Sequence, residues 1–306
     1  MNDREQRPAR GGEKDTTTRL LAIDTSSSSM TVALLAGDRL IAERRSHAER
    51  DHSIRLLPLV EEMLESLGMK PAELTAIAAG VGPGSYTGVR IGVTVAKTMA
   101  WAQGLPVAGV SSLAALALGA LLPDGEQPAA VDVASAEGAP IWIVPLFGAR
   151  RGQAYTALFR AYPASGEFAG EGSYPGINGG ADFAKAWDSG RGWLMDRLAG
   201  DRIYLLASWL ERLAALEQES AARPALLVFT GETAEFAPLL AEFAEKRGGQ
   251  TRVLTDHLRA YACGLLAVPA ICAGLAVDPH RLQPNYTQPT EAEVKLAARL
   301  RGEKHS

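Results

Sequence analysis

The stretch AGVGPGSYTGVRIGVTVAK, from Ala79 to Lys97, places a glycine- and proline-rich turn directly before a long apolar run. The residues that lead into it, LTAIAAG at 74–80, predict a buried strand, and Gly88–Gln103 predicts a helix. A strand, a glycine-rich turn and a helix in this order are typical of an α/β domain. The turn is then either a loop that holds a nucleotide phosphate or a tight turn that leads into a buried helix.

Neither common nucleotide-binding motif occurs in this turn. A Walker A loop needs a lysine directly after its last glycine, and a dinucleotide-binding loop needs a glycine where Ser85 or Thr87 stands. Ser85 or Thr87 is nevertheless suited to cap the helix and to leave backbone N–H groups free for an anion. Arg90 adds a guanidinium in the first turn, so Gly84, Ser85 and Arg90 are candidate phosphate contacts.

On the N-terminal side, short apolar runs alternate with polar turns. The predicted strands are RLLAID (19–24), MTVALL (30–35) and RLIAERR (39–45), and LPVAGV (105–110) follows the glycine-rich stretch. A helix is predicted to begin near Asp51 or Ser53, with Pro58 inside it or in its first turn. The order β-β-β-α-β-α-β predicts an α/β lobe over residues 19–110.

Two helices of this lobe carry more apolar or small surface than packing on one sheet requires. Helix 53–67 has two adjacent apolar stripes, Leu57, Val60, Leu64 and Leu67 in one and Leu56, Leu59 and Met63 in the other. The helix is either deeply buried, or its second stripe packs on another protein.

Helix 88–103 has small residues at every fourth position, namely Gly88, Gly92, Ala96 and Ala100. Glycine inside a helix lowers its stability by roughly 0.5–1 kcal/mol relative to alanine, so we expect that another part of the structure packs closely against this strip. The candidates are helix 53–67, a strand or a partner protein.

The second half of the chain is less regular. Strands are predicted at Ile141–Phe147, Gln153–Arg160 and Leu226–Gly231, and helices at 202–217, 234–247 and 259–275. We therefore divide the chain into a disordered tail over 1–18, the first lobe, a second lobe over 111–277 and a C-terminal tail over 278–306. An insertion is expected at about 161–200, where Gly, Pro and Trp are frequent and occur without periodicity.

Composition excludes several classes of protein. The chain has 306 residues, 47% of them hydrophobic, and a formal net charge of -4, so it lacks the basic excess of a protein that grips RNA by itself. Its two cysteines are nine residues apart and form no C-x-x-C motif. The charged N-terminus is unlike a signal peptide, and no run of eighteen apolar residues occurs. We expect a cytoplasmic protein without a membrane span.

The first strand ends at Asp24, and a serine-rich turn follows. An acidic residue, a small residue and a hydroxyl in this position hold a phosphate in actin-like kinases, so Asp24, Thr25 and Ser26 are candidate phosphate contacts; the alternative is a simple capped turn. Ser26 stands where a glycine would allow closer approach. His47 and His52 are five residues apart and face different directions on a helix or a strand, so we expect no metal site and no catalytic group.

The stretches LLAIDTSSSSMTVALL, HSIRLLPLVEEML and GVGPGSYTGVRIGVTVAKTMAWAQGLPVAGVSSLAALA closely resemble the bacterial TsaB family, also called YeaZ. The similarity is dense over 19–118 and weaker over 141–160, at Gly231-Glu232 and at PNYTQPTEAE (284–293). It implies that residues 1–18 and the stretches near 121–140 and 161–200 are additions to a shorter family core. It implies an actin-like (ASKHA) fold of two lobes, each with a mixed sheet and helices. It also implies a part in making threonylcarbamoyladenosine beside the anticodon of tRNAs that read codons starting with A.

In that family the protein is a non-catalytic scaffold and activator of TsaD, its paralogue, and a TsaE-type ATPase joins the complex. The resemblance implies that tRNA is contacted only indirectly, and that the protein has no cofactor of its own, apart from ATP or ADP at a composite site with the partner. It implies that the two helices of the first lobe bind TsaD or form a homodimer. The residues expected in that interface are Leu56, Leu57, Val60, Met63, Leu64, Gly88, Gly92, Ala96 and Ala100.

The chain departs from both family patterns at identifiable points. TsaD-type proteins carry further acidic residues in the first turn and an H-x-x-x-H metal pair, and this chain has neither. TsaB-type proteins usually carry an Asp before A-R-x-G, where this chain has Gly148 after Phe147. Two other readings stay open at this point: a free-standing ATP-dependent kinase of the same fold, or an inactive metallopeptidase-like homologue.

Overall fold

The computed structural model describes residues 18–46, 52–123, 131, 139–163, 193–220 and 223–287. The predicted N-terminal tail up to residue 17, most of the two predicted insertions and residues 288–306 of the C-terminal tail lie outside these ranges.

The first sheet has the strand order β3-β2-β1-β4-β5. Its strands are β1 (Arg19–Asp24), β2 (Met30–Ala36), β3 (Arg39–Ser46), β4 (Ala76–Gly80) and β5 (Val107–Val110). β1, β2 and β3 form an antiparallel meander, and β4 and β5 run parallel to β1. The helices of this part are α1 (His52–Ser66), α2 (Tyr86–Gln103) and α3 (Ser112–Gly119). β1 and β2 are apolar at nearly every position because helices cover both faces of this sheet.

The second sheet repeats this topology, with the order β10-β9-β6-β7-β8. Its strands are β6 (Ile141–Gly148), β7 (Gln153–Pro163), β8 (Trp193–Leu205), β9 (Leu226–Gly231) and β10 (Gln250–Thr255). Its helices are α4 (Leu206–Glu219), α5 (Ala237–Arg247) and α6 (Ala260–Cys272). β6, β7 and β8 are antiparallel, and β9 and β10 run parallel to β6. The chain is therefore two copies of one element order, β-β-β-α-β-α-β-α, which we call repeat 1 and repeat 2.

The last helix of each repeat packs on the sheet of the other. α3 contacts β6, β7 and β9, whereas α6 contacts all five strands of the first sheet. The two helices also contact each other, and their side chains join one buried cluster with residues of both sheets. This exchange joins the two repeats through a common core. It also places α6, which we assigned to the second lobe from its position in the chain, against the first.

The structure corrects three sequence predictions in the second half. Residues 193–205 form β8, where we expected the end of an insertion and the start of a helix, and Gln250–Thr255 forms β10, which we did not predict. Residues 278–287 pack back on repeat 1 and do not extend away as a tail. Leu282 is buried there, and the Asn285 N–H donates to the Val81 carbonyl at 2.7 Å.

Candidate functional site

A cleft of about 660 Å³ is lined by residues of both repeats. Three segments line it: the β1–β2 turn, the start of α2 and the β6–β7 turn, joined by a glutamate that follows β9. The lining residues are Ser26, Ser27, Ser28, Gly84, Ser85, Tyr86, Thr87, Phe147, Gly148, Ala149, Arg150, Tyr155 and Glu232. Among the candidate phosphate contacts, Ser26, Gly84 and Ser85 are thus brought together in one place.

Asp24 does not reach this cleft. Its carboxylate is fully buried and accepts from the Ser26 N–H at 2.8 Å, the Ser26 hydroxyl at 2.6 Å and the Ser112 hydroxyl at 2.7 Å. A Cβ added at Gly80 would lie 1.7 Å from Asp24 Oδ2, so glycine is required beside it. Burial raises the pKa of Asp24, and the hydrogen bonds oppose that shift. Asp24 therefore connects the turn to the start of α3, and the prediction that it contacts phosphate is wrong.

Thr25 joins the same turn to α2. Its hydroxyl donates to the Gly88 carbonyl at 2.6 Å and accepts from the Gly92 N–H at 3.1 Å, and the side chain is buried. A Cβ added at Gly88 would lie 2.1 Å from the Thr25 carbonyl oxygen, and one at Gly92 would lie 2.3 Å from Thr25 Oγ1. The neighbour expected along the small-residue strip is thus the end of a strand in the same chain. Thr25 is not free to contact phosphate.

The rest of the small-residue strip lies in the core as well. Ala96 and Ala100 are fully buried and pack with residues of β4 and β5. Gly88, Gly92, Ala96 and Ala100 are therefore occupied by contacts inside the chain, and their assignment to a partner interface is corrected. Of the two predicted caps, Ser85 is the one that caps α2, because its hydroxyl accepts from the Gly88 N–H, and the helix begins at Tyr86, two residues before the predicted start.

Arg90 is exposed on α2 and is held by two tyrosines. Its Nε donates to the Tyr286 hydroxyl at 3.0 Å, and its Cζ lies 3.9 Å from the centre of the Tyr86 ring. The hydrogen bond to Tyr286 raises the pKa of Arg90. Arg90 thus fastens the C-terminal segment to α2 and is absent from the residues that line the cleft.

α1 has one buried face and not two separate stripes. Leu56, Val60, Met63 and Leu64 are all buried against the first sheet, at positions i, i+4, i+7 and i+8. Leu57 is 52% exposed at the edge of this face, and Ile54, 72% exposed, points away from it. Of the five α1 residues assigned to a partner interface, only Leu57 is available, because the others fill the core of repeat 1.

Glu232 is central to the cleft, and the sequence analysis noted it only as a position of family similarity, without a predicted role. Its Oε1 accepts from the Ser28 N–H in the β1–β2 turn at 3.3 Å, and its Oε2 accepts from the Gly148 N–H at the end of β6 at 2.9 Å. Glu235 lies beside it, and burial, followed by the charge of Glu232, raises the pKa of Glu235. The available signal was an acidic residue directly after a buried strand that ends in Gly231, whose φ is 106°.

Two further properties concern the described residues alone. No three carboxylate, imidazole or thiolate groups among them are grouped as a metal site would require. None of the described helices has the length and apolar character needed to cross a membrane.

Comparison with known proteins places this architecture in a family. A family model described as TsaD, tRNA N6-adenosine threonylcarbamoyltransferase, matches residues 46–174. The tRNA threonylcarbamoyladenosine biosynthesis protein TsaB of Bacillus subtilis (strain 168) is 32% identical over 277 residues, which cover 90% of this chain and 96% of that protein. The Escherichia coli (strain K12) protein of the same name is 36% identical over 124 residues, 40% of this chain and 53% of its own.

Solved structures agree with this. A Pseudomonas aeruginosa protein described as similar to peptidase YeaZ superposes with a TM-score of 0.60 at 23% identity, over 89% of this chain and 100% of its own. YeaZ from the same organism superposes with a TM-score of 0.54 at 20% identity, over 88% of this chain and 100% of its own. The predicted actin-like α/β fold with two mixed sheets is confirmed. With similarity that extends over nearly the whole length of the Bacillus subtilis protein, the chain belongs to the TsaB family.

Proposed function

We propose that this protein is a non-catalytic subunit in the formation of threonylcarbamoyladenosine in tRNA, and that its partner is a TsaD-type transferase. The observation that carries the proposal is the similarity to a TsaB protein over 90% of this chain, which includes both repeats. The relatives are named for that biosynthesis, and the TsaD family model matches the segment that contains α1 and α2.

The chemistry of the cleft favours a non-catalytic role over a kinase of the same fold. A kinase needs a carboxylate that can reach the substrate or the metal that accompanies its phosphates. Asp24 is buried with both oxygens bonded inside the chain, and Glu232 is engaged by two backbone N–H groups. Asp24 therefore cannot reach a substrate or its metal, and Glu232 already uses both of its oxygens to hold backbone turns.

The partner is proposed to bind at the outer side of α1. Ile54 and Leu57 stand one helical turn apart and are more than half exposed. Half-buried Ile91 and Val95 of α2 pack against the same buried cluster as α1. Exposed apolar side chains that are adjacent on one helix mark interaction surfaces more often than scattered ones do. This surface also serves for a homodimer when the partner is absent.

Depletion of the protein tests the function itself. Threonylcarbamoyladenosine in bulk tRNA, measured by mass spectrometry of nucleosides, should fall in depleted cells and recover when the wild-type protein is restored. Unchanged levels in cells without a second copy of the gene would refute the proposal. ATP turnover by the purified chain alone, above a control without protein, would favour the kinase.

The interface is tested with Ile54→Ser combined with Leu57→Ser. Because both side chains are exposed, the variant should melt like the wild type yet lose capture of the organism's own TsaD-type protein in a pull-down. Glu65→Ser, an exposed change on the same helix, is the matched control and should still bind. Wild-type binding by the double variant would exclude this surface without affecting the proposed function.

A further inference from the structure

Two turns from different repeats direct backbone N–H groups at one carboxylate. Ser28 lies in the turn between β1 and β2, and Gly148 ends β6 directly before the turn to β7. Their N–H groups reach different oxygens of Glu232, at 3.3 Å and 2.9 Å. Backbone N–H groups that converge from glycine- and serine-rich turns form an anion-binding concavity. The geometry therefore describes an anion-binding position with an anion already in it.

We propose that the cleft contains an anion-binding position filled by the protein's own Glu232 carboxylate, and that a phosphate binds there only when this carboxylate is removed. The ligand class is an oxyanion with at least two free oxygens, which inorganic phosphate and the phosphate groups of a nucleotide share. The proposal is independent of the proposed function, because it concerns only what the cleft of this chain accepts.

The surroundings of Glu232 support this assignment. A second anion next to Glu232 would be repelled, because two negative charges about 4 Å apart interact unfavourably even where water screens them. Glu235 adds a further carboxylate beside Gly148, where an added Cβ would lie 2.0 Å from Glu235 Oε1. Gly148, which has no side chain, thus leaves room for Glu235. Ser85 lines the same cleft, and its hydroxyl accepts from the Gly88 N–H and still carries a proton that it can donate to a phosphate once Glu232 is gone.

The test is a titration of purified full-length protein with inorganic phosphate by calorimetry, and in parallel with ADP. Wild type should show no saturable phosphate binding in the millimolar range. Glu232→Ala frees both N–H groups and should bind phosphate at least about tenfold more tightly than wild type, since bonds to a charged acceptor are among the stronger ones. A gain for either anion supports the proposal, and the ADP arm shows whether the cleft also takes the nucleoside.

Glu235→Gln is the matched control, because it removes one negative charge from beside the cleft and leaves Glu232 on its two N–H groups. It should bind phosphate like the wild type. Equal binding by wild type and Glu232→Ala, or an equal gain from Glu235→Gln, would overturn the proposal. If Glu232→Ala does not fold by circular dichroism, Glu232→Gln decides: it keeps the shape and loses the charge, and it should show a smaller gain in the same direction. No gain in that variant would also overturn the proposal.

Discussion

The two repeats share one topology but hold their first turns in different ways. In repeat 1 the first strand ends in Asp24, whose buried carboxylate bonds the turn that follows it and the start of α3. In repeat 2 the first strand ends in Gly148, which has no side chain, and the carboxylate comes from Glu232 after β9. The first turn is thus fixed from within its repeat. The second is fixed by a group that also reaches across to the first, so Glu232 couples the two repeats.

The two repeats also differ in how closely a helix packs against the first turn. α2 comes so close to the first turn that Gly88 and Gly92 are required beside Thr25. α5, the corresponding helix of repeat 2, contains no glycine and follows a short 3₁₀ helix, Ala234–Phe236. Tight packing at the turn is therefore a property of repeat 1, and substitutions at this turn should lower the free energy of unfolding the most.

Gly92→Leu should have the largest effect. The new Cβ would lie 2.3 Å from Thr25 Oγ1, a buried oxygen held by two hydrogen bonds. Overpacking of a core costs roughly 1–3 kcal/mol, and each broken hydrogen bond adds about 1 kcal/mol. We expect the free energy of unfolding to fall by about 3 kcal/mol or more in a urea melt.

Ala102→Leu on the exposed side of the same helix is the control, and it should change the free energy of unfolding by less than about 0.5 kcal/mol. If Gly92→Leu melts like this control, then α2 does not depend on close approach to the turn, and the contrast between the two repeats fails.

The sequence predicted repeat 1 well because its signals are local. β1 is a buried apolar run with the predicted bounds, and Ser85 and Ser111 cap α2 and α3. The error on α1 arose because a buried face wider than one line of residues was divided into two stripes. Leu56 and Leu64 lie on that one face, and Leu57 lies outside it.

Repeat 2 was harder to predict because its decisive contacts are distant in the sequence. β8 contains charged residues and therefore lacks the apolar pattern of a strand. It forms because it pairs with β7, and Arg160 of β7 and Asp196 of β8 form an ion pair. β10 is a half-exposed edge strand without a continuous apolar run. Glu232 bonds a residue 204 positions away, and no spacing rule in a single sequence indicates such a contact.

Asp24→Asn should have an intermediate effect that depends on pH. Because burial raises the pKa of Asp24 in the folded protein above its ordinary value of 3.8, the folded state binds the proton more tightly than the unfolded state. The stability contributed by Asp24 is therefore greatest at low pH and falls as pH rises from about 3.8 through the folded pKa.

Asn does not titrate, so the variant lacks this slope. The free energy of unfolding of wild type minus that of the variant should decrease with rising pH and then level off. Urea melts from acid to neutral pH measure this difference. Burial also raises the pKa of Asp201, but its titration cancels in the difference because both proteins contain it. A difference that stays constant with pH would show that Asp24 titrates alike in both states and is not held as the structure indicates.

Gly148→Ala should have the smallest effect, although an added Cβ would lie 2.0 Å from Glu235 Oε1. The atom that it meets is the end of a flexible, exposed side chain, which can turn toward solvent. Gly148 also lies outside the positive-φ region, so alanine fits its backbone. We expect a change of less than about 0.5 kcal/mol in the free energy of unfolding. The pKa of Glu235, followed by NMR, should fall toward its ordinary value of 4.5 because the carboxyl moves into water.

Gly231→Ala is the opposite case, since its Cβ would meet the Leu146 carbonyl oxygen at 2.5 Å with φ at 106°. It should cost clearly more, and equal costs for the two changes would mean that the backbone, and not the Glu235 side chain, surrounds Gly148.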